Sequence, residues 1–168
     1  MKDNTVLTPH FELREFTESA TAMKQGIANV PPPEAVENLK RLCIHTLEPL
    51  RVKLQRLVVI TSGYRCQQLN EIIVHASRKS QHMSGQAADF HLGHTDFTDD
   101  TDKRRKRLIQ AFRLIITDES IDFDQLILYP NFIHVSYVSK ERNRRKITKA
   151  NGQGTYCALS RAQALAIS

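Results

Sequence analysis

His82 and Asp89 stand seven positions apart around Gly85, and His134 lies in the apolar, β-prone run 132–135. Together they can offer two imidazoles and one carboxylate to a single ion. Three protein ligands of this kind leave one tetrahedral position open for water, whereas structural zinc sites are closed by four ligands, often cysteines. The pattern therefore predicts a zinc ion placed for hydrolysis. Gly85 and the small pair Ala87-Ala88 permit a tight turn that returns His82 to the side of Asp89. On a strand, His134 points to one face while Ile133 and Val135 point to the other.

Several elements are needed to hold these three residues. A helix is expected from Pro33 onward, because proline is tolerated in a first turn and Val36, Leu39, Leu42, Cys43, Leu47 and Leu50 recur near helical spacing. Pro49 should kink or break it. β-Branched content marks a strand at 57–61, and 67–75 reads as a helix with Leu69, Ile72 and Ile73 inward. Residues 76–84 read as a loop, 87–91 as a strand and 95–101 as an acidic loop. The span 102–117 reads as an amphipathic helix with Leu108, Ile109, Phe112, Ile115 and Ile116 buried. Strands at 123–128 and 132–138 flank a short turn and should pair antiparallel. A further strand is expected at 145–148, and short helices at 12–16 and 160–166. Helices followed by a mostly antiparallel sheet give an α+β layout.

Composition sets the outer limits. The 168 residues suffice for one domain with a real core; 40% are hydrophobic and 25% charged, an ordinary globular balance. No apolar run approaches the roughly 20 residues of a spanning helix. The first ten residues lack an apolar signal region, which predicts cytoplasmic synthesis. Cys43, Cys66 and Cys157 are widely spaced, in no paired motif, and are expected to stay reduced. The net charge of +6 favours an anionic partner such as a cell-wall polymer. The basic run 103–107 reads as the solvated face of a helix, since no aromatic residues interleave it for base stacking, and no nucleic-acid partner is expected. His10, His45, His75 and His94 fit no motif.

Ser62-Gly63-Tyr64-Arg65, Leu69-Asn70, the run from Ser80 to Asp89, Phe123-Asp124-Gln125-Leu126-Ile127 and His134-Val135-Ser136-Tyr137 together resemble the zinc D-alanyl-D-alanine carboxypeptidase family. The likeness is strongest to its phage and mobile-element, endolysin-like branch of peptidoglycan peptidases. It implies a single α+β domain of the type shared with the Hedgehog signalling domain, with zinc at His82, Asp89 and His134. It also implies that Arg65 stabilises charge developing on the substrate carbonyl. The corresponding layout is an N-terminal arm at 1–32, a zinc peptidase domain at 33–150 and a C-terminal tail at 151–168. The partner implied is a peptidoglycan peptide, met by a monomer and reached after release through a holin-like protein.

One position departs from the family pattern. An acidic general base is expected three residues before the last histidine, and Asn131 stands there. An amide accepts no proton at neutral pH. The proton then passes to another carboxylate, for which Asp124 is best placed by sequence, or the zinc site acts with little help, or the protein binds wall fragments without cutting them. Gln81 and Ser84 flank the first ligand and Ser136 follows the last by two, so all three are candidate substrate contacts. His91, two beyond Asp89, reads either as a partner that orients a ligand or as a half-exposed strand histidine.

Overall fold

A computed structural model describes residues 5–74, 76–93 and 100–168. Near the N-terminus a small hairpin, β1 (Val6–Thr8) and β2 (Phe11–Glu12), leads into α1 (Leu13–Thr17) and α2 (Ala20–Lys24). This segment is woven into the rest of the molecule: Leu7, Phe11, Leu13 and Phe16 are buried in the common core. The short α2 has no counterpart in the sequence reading; Ser19 caps it by accepting from the Ala22 amide.

α3 (Pro33–Leu42) begins with proline in its first turn, as expected, and its apolar stripe buries Ala35, Leu39 and Leu42. The helix does not stop at Pro49. It widens into a π-helical turn at Cys43–Leu47 and resumes as α4 (Glu48–Leu54), with Pro49 in the new first turn. The wider turn absorbs the amide hydrogen bond that proline cannot donate.

The main sheet has six strands: β3 (Val58–Ser62), β4 (Ala87–Leu92), β5 (Gln125–Leu128), β6 (Ile133–Ser136), β7 (Lys146–Ala150) and β8 (Tyr156–Leu159), in the spatial order β3-β4-β6-β5-β7-β8. Every neighbouring pair is antiparallel except β5 and β7, which run parallel. Ala88 and Phe90 of β4, Leu126 and Leu128 of β5, and Ile133 and Val135 of β6 turn inward. Against this face lies α6 (Thr101–Thr117), capped by the Asp100 carboxylate accepting from the Lys103 amide, with the whole expected stripe buried. α5 (Gln67–Ile72) is shorter than expected and buries Leu69, while Ile72 is exposed. α7 (Arg161–Leu165) closes the chain with a capping box between Ser160 and Gln163, and its Ala164 joins the core.

The α+β architecture with a mostly antiparallel sheet packed on helices is thus the one expected. All three cysteines are unpaired. No helix among the described residues is long and apolar enough to cross a membrane. The expected acidic loop falls largely outside the described residues, as do His75 and His94.

Candidate metal centre

β4 and β6 are neighbours, and their register sets Asp89 directly opposite His134. Strand alternation turns both side chains to the face away from the core. The third group arrives on a single 3₁₀ turn, Gln81–Ser84, that precedes β4. Gly85 closes this turn in the left-handed region, at φ +70°, where a Cβ would sit 2.2 Å from the Ala35 carbonyl oxygen of α3. Glycine is therefore required twice over, by backbone conformation and by space. The closure brings His82 back over Asp89.

His82 Nε2, Asp89 Oδ1 and His134 Nδ1 converge. His134 Nδ1 lies 2.8 Å from Asp89 Oδ1, and His82 Nε2 lies 3.3 Å from each of the other two atoms. A tetrahedral ion with bonds of about 2.0–2.1 Å needs ligand atoms about 3.3 Å apart, since a tetrahedron's edge is 1.63 times its bond. The triangle fits such an ion. No other group of three or more potential ligands is found among the described residues.

The surroundings fix the donors' protonation. His82 is 3% exposed and its Nδ1 lies 2.7 Å from the Gly63 carbonyl oxygen, so Nδ1 carries the proton and Nε2 presents its lone pair to the ion. Burial pulls the His82 imidazolium down in pKa more strongly than the Asp89 charge raises it, which keeps the ring neutral. For Asp89, burial alone favours the acid form. The two histidines more than offset this and hold the carboxyl well below its usual range.

Arg65 completes the inner arrangement. Only 9% exposed, it donates from Nη2 to Asp89 Oδ2 at 2.8 Å and from Nε to Ser62 Oγ at 2.9 Å, while its backbone amide donates to the His82 carbonyl oxygen. It thereby holds both ligand-bearing segments. A cleft of about 1030 Å³ opens over these four residues, bordered by Lys79, Gln81, Tyr129, Phe132 and Tyr156.

The other expected site residues divide. Gln81 lines the cleft and donates to Asp124 Oδ2 at 2.9 Å. Asp124 also borders the cleft, but it is 1% exposed and saturated: the Arg144 amide and Nε donate to Oδ1, and Arg144 Nη2 and Ser136 Oγ bond Oδ2. Burial pushes this carboxyl up, the Arg144 contacts outweigh it, and its pKa falls to about 2.

Ser136 is fully buried. Its hydroxyl accepts from the Gln125 amide and faces Asp124, so it braces the β5–β6 pair and touches no cleft space. Ser84 donates within its own turn to the Gln81 carbonyl and the Gln86 side chain. Asn131 lies in the exposed β5–β6 turn and borders a neighbouring cleft with His91 and Arg105, away from the ligands. Asn131 precedes β6, which begins at Ile133, so the register that sets His134 opposite Asp89 does not extend to it. His91 likewise stays out of the ligand cluster; its Nδ1 is 3.1 Å from the Leu92 carbonyl oxygen.

Two residues that sequence reasoning passed over border the cleft prominently. Tyr129 stacks on Phe132 with centroids 4.2 Å apart, and its hydroxyl lies 3.0 Å from that of Tyr156. Burial chiefly, then the Tyr156 hydroxyl and the Asp89 charge, raise the Tyr129 pKa. Alternation along β5 from Gln125 and Ile127 would have exposed Tyr129. Tyr156 carries no comparable signal, because β8 is an exposed edge strand.

An α+β domain that presents two imidazoles and a carboxylate on one sheet face, beneath an open cleft, has the ligand set of a metal-dependent hydrolase. Residues 9–136 match the Peptidase M15 family, and the chain belongs to it. It is thus a metallopeptidase by family, with a ligand cluster able to hold the metal. No match to the chain is found among curated proteins.

Proposed function

We propose that the protein is a zinc-dependent peptidase of bacterial peptidoglycan, hydrolysing peptide bonds of the stem peptide or cross-bridge that involve D-amino acids. The supporting observation is the triangle of ligand atoms, 2.8 Å and 3.3 Å on its edges, made by two imidazole nitrogens and one ionised carboxylate. That donor set suits zinc. Bound there, zinc would supply Lewis-acid activation of the scissile carbonyl and of the attacking water.

The chain's own residues do the rest. Gly63 fixes the His82 tautomer through its carbonyl oxygen, and Arg65 fixes the Asp89 carboxylate through Nη2, its Nη1 making no hydrogen bond among the described residues and so being offered to a substrate oxygen. A cation held there by two other contacts stabilises charge that grows on that oxygen during attack without reorganising. Asp124 is a positioning residue that secures Gln81 and Arg144 at the cleft edge. With a pKa of about 2 and both oxygens engaged, it makes a poor proton acceptor near neutral pH.

The test is incubation of the purified protein with sacculi from several wall types. New amino groups, abolished by a chelator and restored by zinc, are expected; no release from any wall would refute the reading. A second reading, a zinc-stabilised wall-binding module, draws on one observation. Both carboxylates bordering the cleft are committed, Asp89 to the ligand set and Arg65, and Asp124 to Arg144. Sacculus binding without release would favour that reading.

A further inference from the structure

The register of the sheet orders the cleft along the strands. His134 stands opposite both Asp89 and Ile127, and Ile127 stands opposite Thr148, so these four share one level. Two residues toward one end, at about 3.3 Å per residue, Gln125 stands opposite Lys146. Two residues toward the other end come Tyr129 and Phe132, joined by the hydrogen bond from the Tyr129 amide to the Phe132 carbonyl. The metal ligands therefore sit between two ends of different chemistry.

One end is cationic. Lys146, Arg142 and Lys79 border it, and none makes an ion pair among the described residues. Arg144 is spent on Asp124, and the two carboxylates of the cleft are already neutralised. Three positive charges are thus left uncompensated. The other end is an aromatic shelf, the stacked Tyr129 and Phe132 with the Tyr156 hydroxyl bridged to Tyr129. The Arg105 guanidinium stiffens its turn from behind by donating to the Tyr129 carbonyl oxygen at 2.7 Å.

Between the ends, Thr148 borders the cleft at the level of His134. Its hydroxyl is buried, at 4% exposure of the residue, and has no hydrogen-bond partner among the described residues. A buried hydroxyl without a partner costs stability unless something completes it, and Thr148 is a residue that borders the cleft. Arg142, Lys146, Thr148 and Tyr156 all lie beyond the residues matched to the family.

We propose that the cleft is a two-ended peptide groove that selects a carboxylate-bearing residue about two residues to one side of the bond held over His134, lays the other side of the peptide on the tyrosine shelf, and hydrogen-bonds the backbone between them through Thr148. A groove occupied on both sides of the metal takes an internal segment of an acidic peptide. The assignment rests on the peptidase reading only for the position of the scissile bond.

The test uses end-blocked pentapeptides free of aromatic residues, identical except for Glu or Gln at one position. Binding is followed by calorimetry and by the tyrosine absorbance of the protein, which has four tyrosines and no tryptophan. The Glu peptide is expected to bind roughly three- to tenfold tighter at low salt, with the preference largely lost in about 0.5 M salt. In Arg142→Ala/Lys146→Ala the preference should shrink to within about twofold, with zinc content and melting temperature unchanged. Thr148→Val should weaken both peptides roughly threefold or more while raising the melting temperature, a pairing that a merely structural threonine would not give.

Equal binding of the two peptides, no binding of either, or a preference that survives the double substitution overturns the proposal. An intact preference in a protein that releases no amino groups from any sacculus supports the groove and overturns the peptidase reading instead.

Discussion

Replacing Asp124 with Asn separates a structural from a catalytic carboxylate. In the native protein this group, 1% exposed, meets three donors of Arg144, the Gln81 amide and the Ser136 hydroxyl. Its pKa falls from 3.8 to about 2, which corresponds to on the order of 2 kcal/mol. Arg144 is 56% exposed, so solvent screening lowers the figure to about 1–2 kcal/mol. For a domain of this size that is about 2–8 °C in melting temperature.

The sign follows from linkage: a depressed carboxylate stabilises the fold fully above its unfolded pKa and loses that contribution as pH falls through the folded one. Thermal unfolding of Asp124→Asn should show the full deficit at pH 7, a shrinking one below pH 3.8, and little by about pH 2. Turnover at 25 °C should fall less than about tenfold, against the roughly 10²–10⁴-fold expected for loss of a general base. An unchanged melting temperature with a hundredfold loss of turnover would refute this reasoning.

Three further outcomes follow from the geometry. Arg65→Ala should weaken zinc binding roughly 10- to 100-fold, measured by chelator competition, because it releases Asp89 Oδ2 and the His82 turn; unchanged affinity would show that Arg65 does not orient the ligand. Gly85→Ala should cost about 2–4 kcal/mol in urea unfolding, from a left-handed backbone and a Cβ 2.2 Å from the Ala35 oxygen. A loss below about 0.5 kcal/mol would mean that the turn relaxes freely. Asn131→Glu should change turnover by less than about twofold, since its side chain borders the neighbouring cleft; a steep gain would place position 131 over the metal after all.

Much of the fold was legible because the relevant signals are local. The α6 stripe and the alternation around His134 follow from periodicity alone, and Gly85 with the alanine pair foretold the return of His82 toward Asp89. What escaped depends on contacts distant in sequence. The roles of Ser136 and Asp124 are decided by Arg144 and Gln81, which no spacing rule connects to them. The parallel pairing of β7 with β5 and the exposed strand β8 were likewise unreadable, since an exposed edge carries little hydrophobic pattern. Asn131 shows the opposite failure. A motif offset of three suggested a place in the site, whereas the exposed β5–β6 turn sets Asn131 beside the neighbouring cleft.

Elemental analysis of the purified protein tests the central claim most directly. One zinc per chain is predicted for the native protein, with loss of it in His82→Ala at unchanged secondary structure by circular dichroism. Absence of stoichiometric zinc from the native protein, or its full retention in His82→Ala, would contradict the account.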